Sequence, residues 1–279
     1  MKIALVYNAG EGEFDSPETV AFIAGHLRPL GRVMTLLEVT RPIDEVARAL
    51  RRLDPDLVFN IAEGQGSAFR EAVIPMLCGE LGIPCTGSSP SVLALTLDKL
   101  LCKRLVAAAG VRVPRDSGDR VIVKPRCEGS SIGITQDSVR ASPMPGMLPG
   151  MLVEECVDGW DAAVGYVAGD VLDPVRYVYR PTGPHRIYCA ELKRDDRLVP
   201  LEDVEPVVGE RLRRAAATAF AAVGVHGFAR ADFRVTRDGE VVFLEINALP
   251  SLAPTNNELY ARRPARDVIA AIVGATISG

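Results

Sequence analysis

The chain has 279 residues, of which 48% are hydrophobic and 24% are charged, with a formal net charge of -4. These values are typical of an ordinary soluble globular protein. They give no general attraction to nucleic acid or to an anionic membrane, so any phosphate binding must be local.

Strands and helices alternate in the first part of the chain. Lys2–Tyr7 reads as a buried strand, and Ser16-Pro17 predicts a helix start, with a capping serine and proline at the first helical position. The elements predicted next are a helix ending near Gly31, a strand at 33–37, a helix at 43–53 and a strand at 57–61. This β-α-β-α-β order implies a Rossmann-like parallel sheet with right-handed crossovers.

A nicotinamide-binding site is a weaker alternative for this region. Gly10-x-Gly12 follows the first strand and Glu38 follows the second, which imitates part of a dinucleotide fingerprint. The third glycine of that motif is missing, because Asp15 stands in its place, and a partial match carries little weight.

The middle of the chain begins with a helix predicted at 67–81 and a turn-rich stretch at 82–89, which looks like a domain boundary. Asp98 is a candidate N-cap for a helix whose C′ residue is Gly110. Lys99 falls in the first turn of that helix, where the helix dipole disfavours a cation. The position suggests a functional lysine, with a solvated surface lysine as the alternative.

A short strand at 121–125 ends in Lys124-Pro125 and is followed by a loop of small residues at 126–133. The loop is not a Walker A sequence, because the Gly-Lys-Ser/Thr ending is absent. Its backbone N–H groups can still hold phosphate, with Lys124 supplying charge. The alternative is a plain hairpin turn. Further strands are predicted at 151–157, 162–167 and 171–179, and a helix at 206–223.

The most informative stretch is 227–247, where two apolar runs flank Asp238-Gly239, a strong signal for a two-residue hairpin turn. Counting outward predicts the opposed pairs Arg237–Glu240, Asp232–Glu245 and Arg230–Asn247. The polar face of this hairpin is then expected to carry Arg230, Asp232, Glu245 and Asn247. The apolar face is expected to carry Ala231, Phe233, Val235, Val242, Leu244 and Ile246.

The polar face of this hairpin brings two carboxylates together. Directly opposed Cβ atoms lie roughly 5 Å apart, and like charges at that distance destabilise a sheet unless a cation lies between them. Two carboxylates and an amide oxygen suit a hard ion such as Mg2+ bridging to nucleotide phosphates, and Arg230 can hold an anion. The alternative is an ordinary hairpin with a solvated charged face.

No cysteine pattern points to another kind of site. The six cysteines are scattered without Cys-x-x-Cys pairs, so neither a zinc site nor a disulfide framework is expected. None of the three histidines stands beside Ser or Cys in a nucleophile motif, which argues against a triad hydrolase. No uninterrupted apolar run of about 18 residues appears, and we expect a cytoplasmic protein.

The ordered motifs together resemble the D-alanine–D-alanine ligases of the ATP-grasp superfamily. They are Thr96-Leu-Asp98-Lys99, Val121-Ile-Val-Lys124-Pro125, Glu128-Gly-Ser-Ser-Ile-Gly133, Leu152-Val-Glu-Glu155 and Leu244-Glu-Ile-Asn247. The resemblance implies an ATP-grasp fold of mixed α/β and α+β class. We divide it into an N-terminal α/β domain at 1–88, a central ATP-grasp subdomain at 89–155 and a C-terminal one with the metal site at 156–279.

The resemblance also implies roles for individual residues at the nucleotide end. The residues expected to contact ATP are Lys99, Lys124, Glu128, Gly129, Ser130, Ser131, Glu154, Glu155, Val157, Asp161 and Lys193. Among these, the segment 154–157 resembles the hinge that binds adenine in the family. Asp161 resembles the acidic residue that holds the ribose. Asp232, Glu245 and Asn247 match magnesium ligands, and the implied cofactors are ATP and two Mg2+ ions, with Mn2+ as an alternative.

The implied reaction joins two amino acids through an acyl phosphate. Arg230 matches the arginine that stabilises that intermediate, assisted by a backbone N–H near Ser251, where the family has Gly. Ser130 keeps the serine of a Glu-Ser-Tyr triad, whose glutamate is Glu11, Glu13 or Glu18, with Glu13 favoured by spacing. The family's tyrosine is replaced by Arg194.

The substrate end departs from the family pattern. Glu63 stands where the family has a His-Gly pair, and Arg70 follows nearby. The serine that holds the second substrate's carboxylate is replaced by Asn256 or Asn257. Arg70 and Arg194 are candidates for holding an anionic group larger than alanine, with exposed surface arginines as the alternative.

Three functions remain open from the sequence. The favoured one is an ATP-dependent ligase of the D-alanine–D-alanine type. The second is ATP-grasp amide formation with other amino or carboxylic acids, and the third is a nucleotide-binding regulatory protein without turnover. Small-molecule amino-acid substrates are the expected partners, nucleic acid and membrane are not, and family likeness suggests a homodimer.

Overall fold

The computed structural model describes residues 1–9, 15–31, 33–39, 42–142, 149–189, 192, 201–255 and 257–278. Its sheets use separate parts of the chain, from 2–60, 120–155 and 160–247. None of the helices in these ranges combines the length and apolar character needed to cross a membrane.

The first sheet has the predicted parallel arrangement, with strand order β2-β1-β3. Its elements are β1 (Lys2–Tyr7), α1 (Pro17–Leu27), β2 (Val33–Glu38), α2 (Ile43–Leu53) and β3 (Leu57–Asn60). Ser16 caps α1 as predicted, since its hydroxyl accepts from the N–H of Thr19 at 3.2 Å. The alternating order of the sequence therefore gave the correct topology.

Three helices connect this sheet to the next. They are α3 (Val73–Leu81), α4 (Pro90–Leu97) and α5 (Lys99–Ala108). The expected helix at 67–81 begins only at Val73, after a single 3-10 turn at Arg70–Ala72. Asp98 caps α5 as predicted, because its Oδ1 accepts from the backbone N–H groups of Leu100 and Leu101 at 3.2 and 3.1 Å.

The second sheet is antiparallel, with strand order β5-β4-β6. Its strands are β4 (Arg120–Pro125), β5 (Val139–Ala141) and β6 (Met151–Glu155). The register places Lys124 opposite Leu152 and Ile122 opposite Glu154. Lys124 thus lies on the central strand of this sheet, and both Lys124 and the loop that follows β4 line a cavity facing the third sheet.

The third sheet has the order β10-β9-β7-β11-β12, with β8 paired to β7 beside this path. Its elements are β7 (Trp160–Val167), β8 (Asp170–Val171), β9 (Val175–Tyr177), β10 (Leu201–Asp203), β11 (Phe228–Val235) and β12 (Val241–Asn247). Two helices, α6 (Pro206–Val223) and α7 (Ala265–Ser278), pack their apolar faces into the core with it. The expected single strand at 171–179 is wrong, because Pro174 and its neighbours separate β8 from β9.

Candidate active site

A cavity of about 280 Å³ lies between the second and third sheets. The sequence-predicted residues that line it are Glu63, Lys99, Lys124, Glu128, Gly129, Ser130, Ser131, Glu154, Glu155, Val157, Asp161, Arg230, Asp232, Glu245, Asn247 and Ser251. Residues from distant parts of the chain therefore meet in one place, as the ordered motifs indicated.

The hairpin places the two predicted carboxylates opposite each other. Asp232 lies directly opposite Glu245, and Arg230 lies opposite Asn247. The turn that produces this register differs from the predicted two-residue turn. The turn has three residues, since Thr236 pairs with Glu240 through an N–H···O bond of 3.0 Å, so the expected Arg237–Glu240 pair is wrong.

A β-bulge restores the register beyond the turn. Phe233 pairs with Phe243 while Asp232 pairs with Glu245, which leaves Leu244 without an opposite residue. Leu244 consequently lines the cavity, and the expectation that it packs on the apolar face beside Phe233 is wrong. Phe243 takes that place, with its ring 5.7 Å from that of Phe233.

Cations hold both carboxylates in place. Arg230 makes a two-point contact with Asp232, at 2.8 Å from Nε and 2.9 Å from Nη2, and Lys99 Nζ lies 3.2 Å from Glu245. Burial raises the pKa of Asp232 despite Arg230. Burial also opposes ionisation of Glu245, yet Lys99, Lys124 and Arg230 hold its pKa at about 2.

The donor set fits a magnesium ion. Asp232 and Glu245 offer carboxylate oxygens, and Asn247 offers an amide oxygen that already accepts the N–H of Leu249 at 2.9 Å and keeps a second lone pair. Hard oxygen donors without nitrogen or sulfur are those that Mg2+ prefers. Among the described residues no group of three His, Cys, Asp or Glu offers a competing site.

Two buried lysines bring positive charge to the cavity near these carboxylates. Lys99 is only 6% exposed, so the surface-lysine alternative is wrong, and its ammonium also donates to the carbonyl of Glu128. Lys124 is equally buried and lies 2.7 Å from Glu154. Both ammonium groups are thus held by acceptors at the cavity wall.

Sequence reasoning missed Lys103, which joins the pair of Lys124 and Glu154. Its ammonium contacts Glu154, and its side chain is 6% exposed. Burial, followed by the charge of Lys124, lowers the pKa of Lys103 to about 7. Its position one helical turn after Lys99 is the signal that would have placed it on the same face of α5.

The loop at 126–133 has the backbone freedom that a phosphate-binding loop needs. Ser130 and Ser131 have positive φ angles of 49° and 59°, and Gly133 follows at 70°. A Cβ atom at Gly133 would lie 2.7 Å from the ring of Pro125, so the glycine is required there. The loop is anchored by Arg70, whose Nη1 donates to the carbonyl of Cys127 at 2.9 Å.

Arg70 is not the exposed surface arginine of the alternative interpretation. It is 5% exposed, and its Nη2 lies 3.1 Å from the carboxylate of Glu128. It does not line the cavity, whereas its neighbour Glu71 does. Arg70 therefore connects the N-terminal segment to the loop.

The segment after β6 presents backbone groups to the cavity. Val157 lines the cavity, and its N–H has no hydrogen-bond partner among the described residues. The side chain of Glu155 is held by Arg115, with Nη2 and Oε1 2.8 Å apart. Asp161 follows on β7 and is tied to Arg234 at 2.7 Å.

The cavity also contains residues that sequence reasoning missed. Tyr177 and Glu258 line the cavity and are hydrogen-bonded to each other, and Nη1 of Arg230 lies 3.7 Å from Glu258. Ser251 also lines the cavity, and its N–H has no partner in the described part of the chain. A signal for Tyr177 would have required knowing that β9 adjoins β7.

Several candidate residues lie outside the described residues, namely Glu11, Glu13, Lys193, Arg194 and Asn256. Of the alternatives, Glu18 is exposed in the first turn of α1. Asn257 is buried and its amide donates to the carbonyl of Ser251 at 2.7 Å. This bond shapes the loop that carries Ser251.

The sequence matches the family model described as D-ala D-ala ligase C-terminus over residues 112–266, more than half of the chain. The chain belongs to the D-alanine–D-alanine ligase family. It is 29% identical to a D-alanine–D-alanine ligase of Agrobacterium fabrum, over 88% of this chain and 88% of that protein. The enzyme is accordingly an ATP-dependent, ADP-forming C–N ligase.

Solved structures of other family members share its fold. A D-alanine–D-alanine ligase from Bacillus anthracis complexed with ATP superposes with a TM-score of 0.72 at 15% identity, over 100% of this chain and 96% of that one. The VanG D-Ala:D-Ser ligase of Enterococcus faecalis gives a TM-score of 0.69 at 16% identity, covering 99% of both chains. The predicted ATP-grasp fold is thereby confirmed.

Proposed function

We propose that this ligase joins two D-amino acids, with D-alanine as the first, through an acyl phosphate formed from ATP. The observation that carries the proposal is the opposed pair Asp232 and Glu245, in one cavity with buried Lys99 and Lys124. Such a site concentrates the charges that phosphoryl transfer to a carboxylate requires.

In the proposed first step a carboxylate oxygen of the first substrate attacks the γ-phosphorus of ATP and ADP leaves. Lys99 and Lys124 stabilise charge on the phosphate oxygens, and backbone N–H groups at 129–131 cover them. Asp232, Glu245 and Asn247 would hold two Mg2+ ions, or Mn2+ in their place. The metal, when bound, supplies charge that lowers the barrier to this transfer.

In the proposed second step the amine of the other substrate attacks the acyl carbon, and an amide and phosphate result. Arg230 stabilises the oxyanion of the tetrahedral intermediate together with the N–H of Ser251. The N–H of Ser251, which has no partner among the described residues, and the contact of Arg230 with Asp232 support these roles.

The nucleotide is proposed to bind with its base against the segment 154–157. The N–H of Val157, for which the described part of the chain offers no partner, supports a contact with adenine, flanked by Glu154 and Glu155. Asp161 is proposed to hold the ribose. Glu63 is proposed for the amino-acid end of the cavity, and Arg70 is proposed to hold the loop that covers the phosphates.

The chain's organisation is part of the proposal. The units 1–88, 89–155 and 156–279 form an N-terminal domain and two halves that enclose the nucleotide, which agrees with sheets drawn from separate ranges. We propose that the enzyme works in the cytoplasm as a homodimer, as the family likeness suggests.

Phosphate release with a panel of D- and L-amino acids tests the function. We expect ADP and phosphate to form with D-alanine, alone or paired with a second D-amino acid. Release with other acids but not with D-alanine would favour a ligase of a specialised pathway. Tight ATP binding without release across the panel would favour a regulatory nucleotide-binding protein and contradict the proposal.

A further inference from the structure

Arg234 is a buried arginine of the cavity to which the roles above assign no function. It lies on β11 two residues after Asp232 and lines the cavity. Its side chain is only 7% exposed. A buried guanidinium is costly unless its donors are paired, so its contacts indicate what it holds.

The guanidinium contacts the nucleotide-facing segment at several points. Nε donates to the carbonyl of Val157 at 3.1 Å, and Nη2 donates to the carbonyl of Gly159 at 3.0 Å. Nη2 also donates to the carbonyl of Arg186 at 2.8 Å. The planar guanidinium group has N–H donors in fixed directions, so it can hold these carbonyls in one relative position, which the single ammonium of a lysine cannot do.

The remaining contact of Arg234 is with Asp161, its direct neighbour across β7 and β11. Nη1 of Arg234 lies 2.7 Å from Oδ2 of Asp161, and the same oxygen accepts from the hydroxyl of Tyr179. Oδ1 of Asp161 has no hydrogen-bond partner within the described ranges. The arginine and tyrosine therefore fix the carboxylate by one oxygen and leave the other available.

Val157 is likewise held at one group and available at another. Its carbonyl accepts a hydrogen bond from Arg234, while its N–H has no partner in the described part of the chain. Both Val157 and Asp161 line the cavity. One side chain thus orients a backbone donor suited to a base edge and a carboxylate oxygen suited to a sugar hydroxyl. Preorganised groups of this kind bind more tightly because no ordering is needed on binding.

We propose that Arg234 is a positioning residue of the nucleotide site, which orients Val157 and Asp161 and so sets the preference for a ribose over a deoxyribose nucleotide. The inference rests on the proposed function, because it takes the cavity to be the ATP site. Arg234 acts through its neighbours and does not itself take part in phosphoryl transfer.

The test measures the dissociation constants of ATP, 2′-deoxyATP and 3′-deoxyATP without amino acids. The wild-type protein should bind ATP about tenfold more tightly than at least one deoxynucleotide, since a hydrogen bond to a carboxylate is lost. Arg234→Met should bind ATP about tenfold more weakly and lose this preference. A purely structural role would weaken all three nucleotides alike and leave the ratio unchanged.

Two further variants keep the test decisive. Arg234→Lys keeps the positive charge but not the planar guanidinium, and it should also lose the preference for ATP over the deoxynucleotides. It replaces Arg234→Met in the test if Arg234→Met does not fold. Arg213→Met, which removes an arginine that pairs with Asp173 on the surface, should leave the ratio unchanged. A preserved ratio in both Arg234 variants overturns the inference alone, whereas absence of ATP binding and ADP release by the wild type overturns the proposed function.

Discussion

At the scale of single residues, the site is a set of charges that are each held by an opposite charge. Arg230 faces Asp232, Lys99 faces Glu245, and Lys124 faces Glu154. The residue types and their order in the chain were enough to find most of these groups. Lys103 was missed although it follows Lys99 by one helical turn, because its partner Glu154 comes from β6. Glu258 was missed because its partner Tyr177 comes from β9, and no local spacing in the sequence indicates that contact.

The carboxylates of the hairpin supply the first prediction. Asp232→Asn and Glu245→Gln should each abolish Mg-dependent ADP release, because an amide in place of either carboxylate removes charge from the metal-binding set. ADP release at saturating ATP, measured over a magnesium titration, checks this. Glu240→Gln, which changes an exposed carboxylate on the same hairpin, should remain active; near-normal turnover in both site variants would remove the metal assignment.

Glu154 supplies the second prediction. Its carboxylate is 3% exposed and lies between Lys103 and Lys124, and although burial opposes ionisation, the two lysines keep its pKa low. Glu154→Gln removes the carboxylate that contacts both buried lysines, so the free energy of unfolding should fall by roughly 3–5 kcal/mol. Urea denaturation at constant pH measures the change.

The matched control for this variant is Glu155→Gln, in the adjacent residue. Glu155, whose side chain is 16% exposed, pairs with Arg115, whose side chain is 70% exposed, and a pair that is open to solvent on one side contributes less to stability than a buried one. The control should therefore unfold at nearly the wild-type urea concentration. Equal losses in the two variants would show that the buried triad does not stabilise the fold.

At the scale of elements, the sequence predicted the helices and strands that carry a clear local signal. The β-α-β-α-β order, the N-caps at Ser16 and Asp98 and the helix Pro206–Val223 are confirmed. α4 was missed because its residues are apolar on all sides and show no helical period, although Ser89-Pro90 repeats the start signal of α1.

The hairpin shows how a correct pairing can follow from an incomplete argument. The assumed two-residue turn is one residue shorter than the real one, and the error would have moved every later pair by one position. The bulge at Leu244 compensates for it, so Asp232 and Glu245 still face each other. No sequence rule locates a bulge without knowledge of the packing on both faces.

Gly159, at the start of β7, supplies the third prediction. A Cβ atom there would lie 2.0 Å from the carbonyl oxygen of Val235, a contact that the backbone of β11 would have to relieve by moving. Gly159→Ala should therefore displace the end of β11 and lower both the thermal midpoint and the affinity for ATP. Calorimetry and nucleotide titration measure these effects.

Gly274→Ala is the control for that substitution, since nothing lies within 4 Å of a Cβ atom at this position of α7. Alanine is also the better helix former, so this variant should be as stable as the wild type or slightly more so. If Gly159→Ala matched it in stability and ATP affinity, the close approach of Gly159 to β11 would be unimportant.

At the scale of the whole molecule, the N-terminal segment is joined to both halves of the nucleotide site. Ser88 exchanges hydrogen bonds of 3.0 Å with the backbone N–H and carbonyl of His226, just before β11. Arg70 reaches the loop at 126–133 through Cys127 and Glu128. The turn-rich stretch at 82–89 and the family resemblance predicted separate domains, but the contacts between these segments depend on the assembled fold and have no pattern in the sequence.

The contact of Arg70 supplies the last prediction. In Arg70→Met the carbonyl of Cys127 and the carboxylate of Glu128 lose a buried charged partner, so the loop that is proposed to cover the phosphates should become less ordered. A hydrogen bond to a charged group contributes about 1.5–3 kcal/mol, which corresponds to a fall in kcat/KM for ATP of about tenfold or more. We expect the effect mainly in KM, because the residues proposed for phosphoryl transfer remain in place.

Steady-state kinetics with varied ATP and limited proteolysis of the loop measure this prediction together. Arg48→Met is the matched control, because Arg48 pairs with Asp44 on the exposed surface of α2 and has no contact with the loop. The variant of Arg70 should be cleaved faster within 126–133, and ATP should protect it less than it protects the wild type. An unchanged KM for ATP would mean that the N-terminal segment holds the loop without influencing the nucleotide, and would confine the role of that segment to the amino-acid end of the cavity.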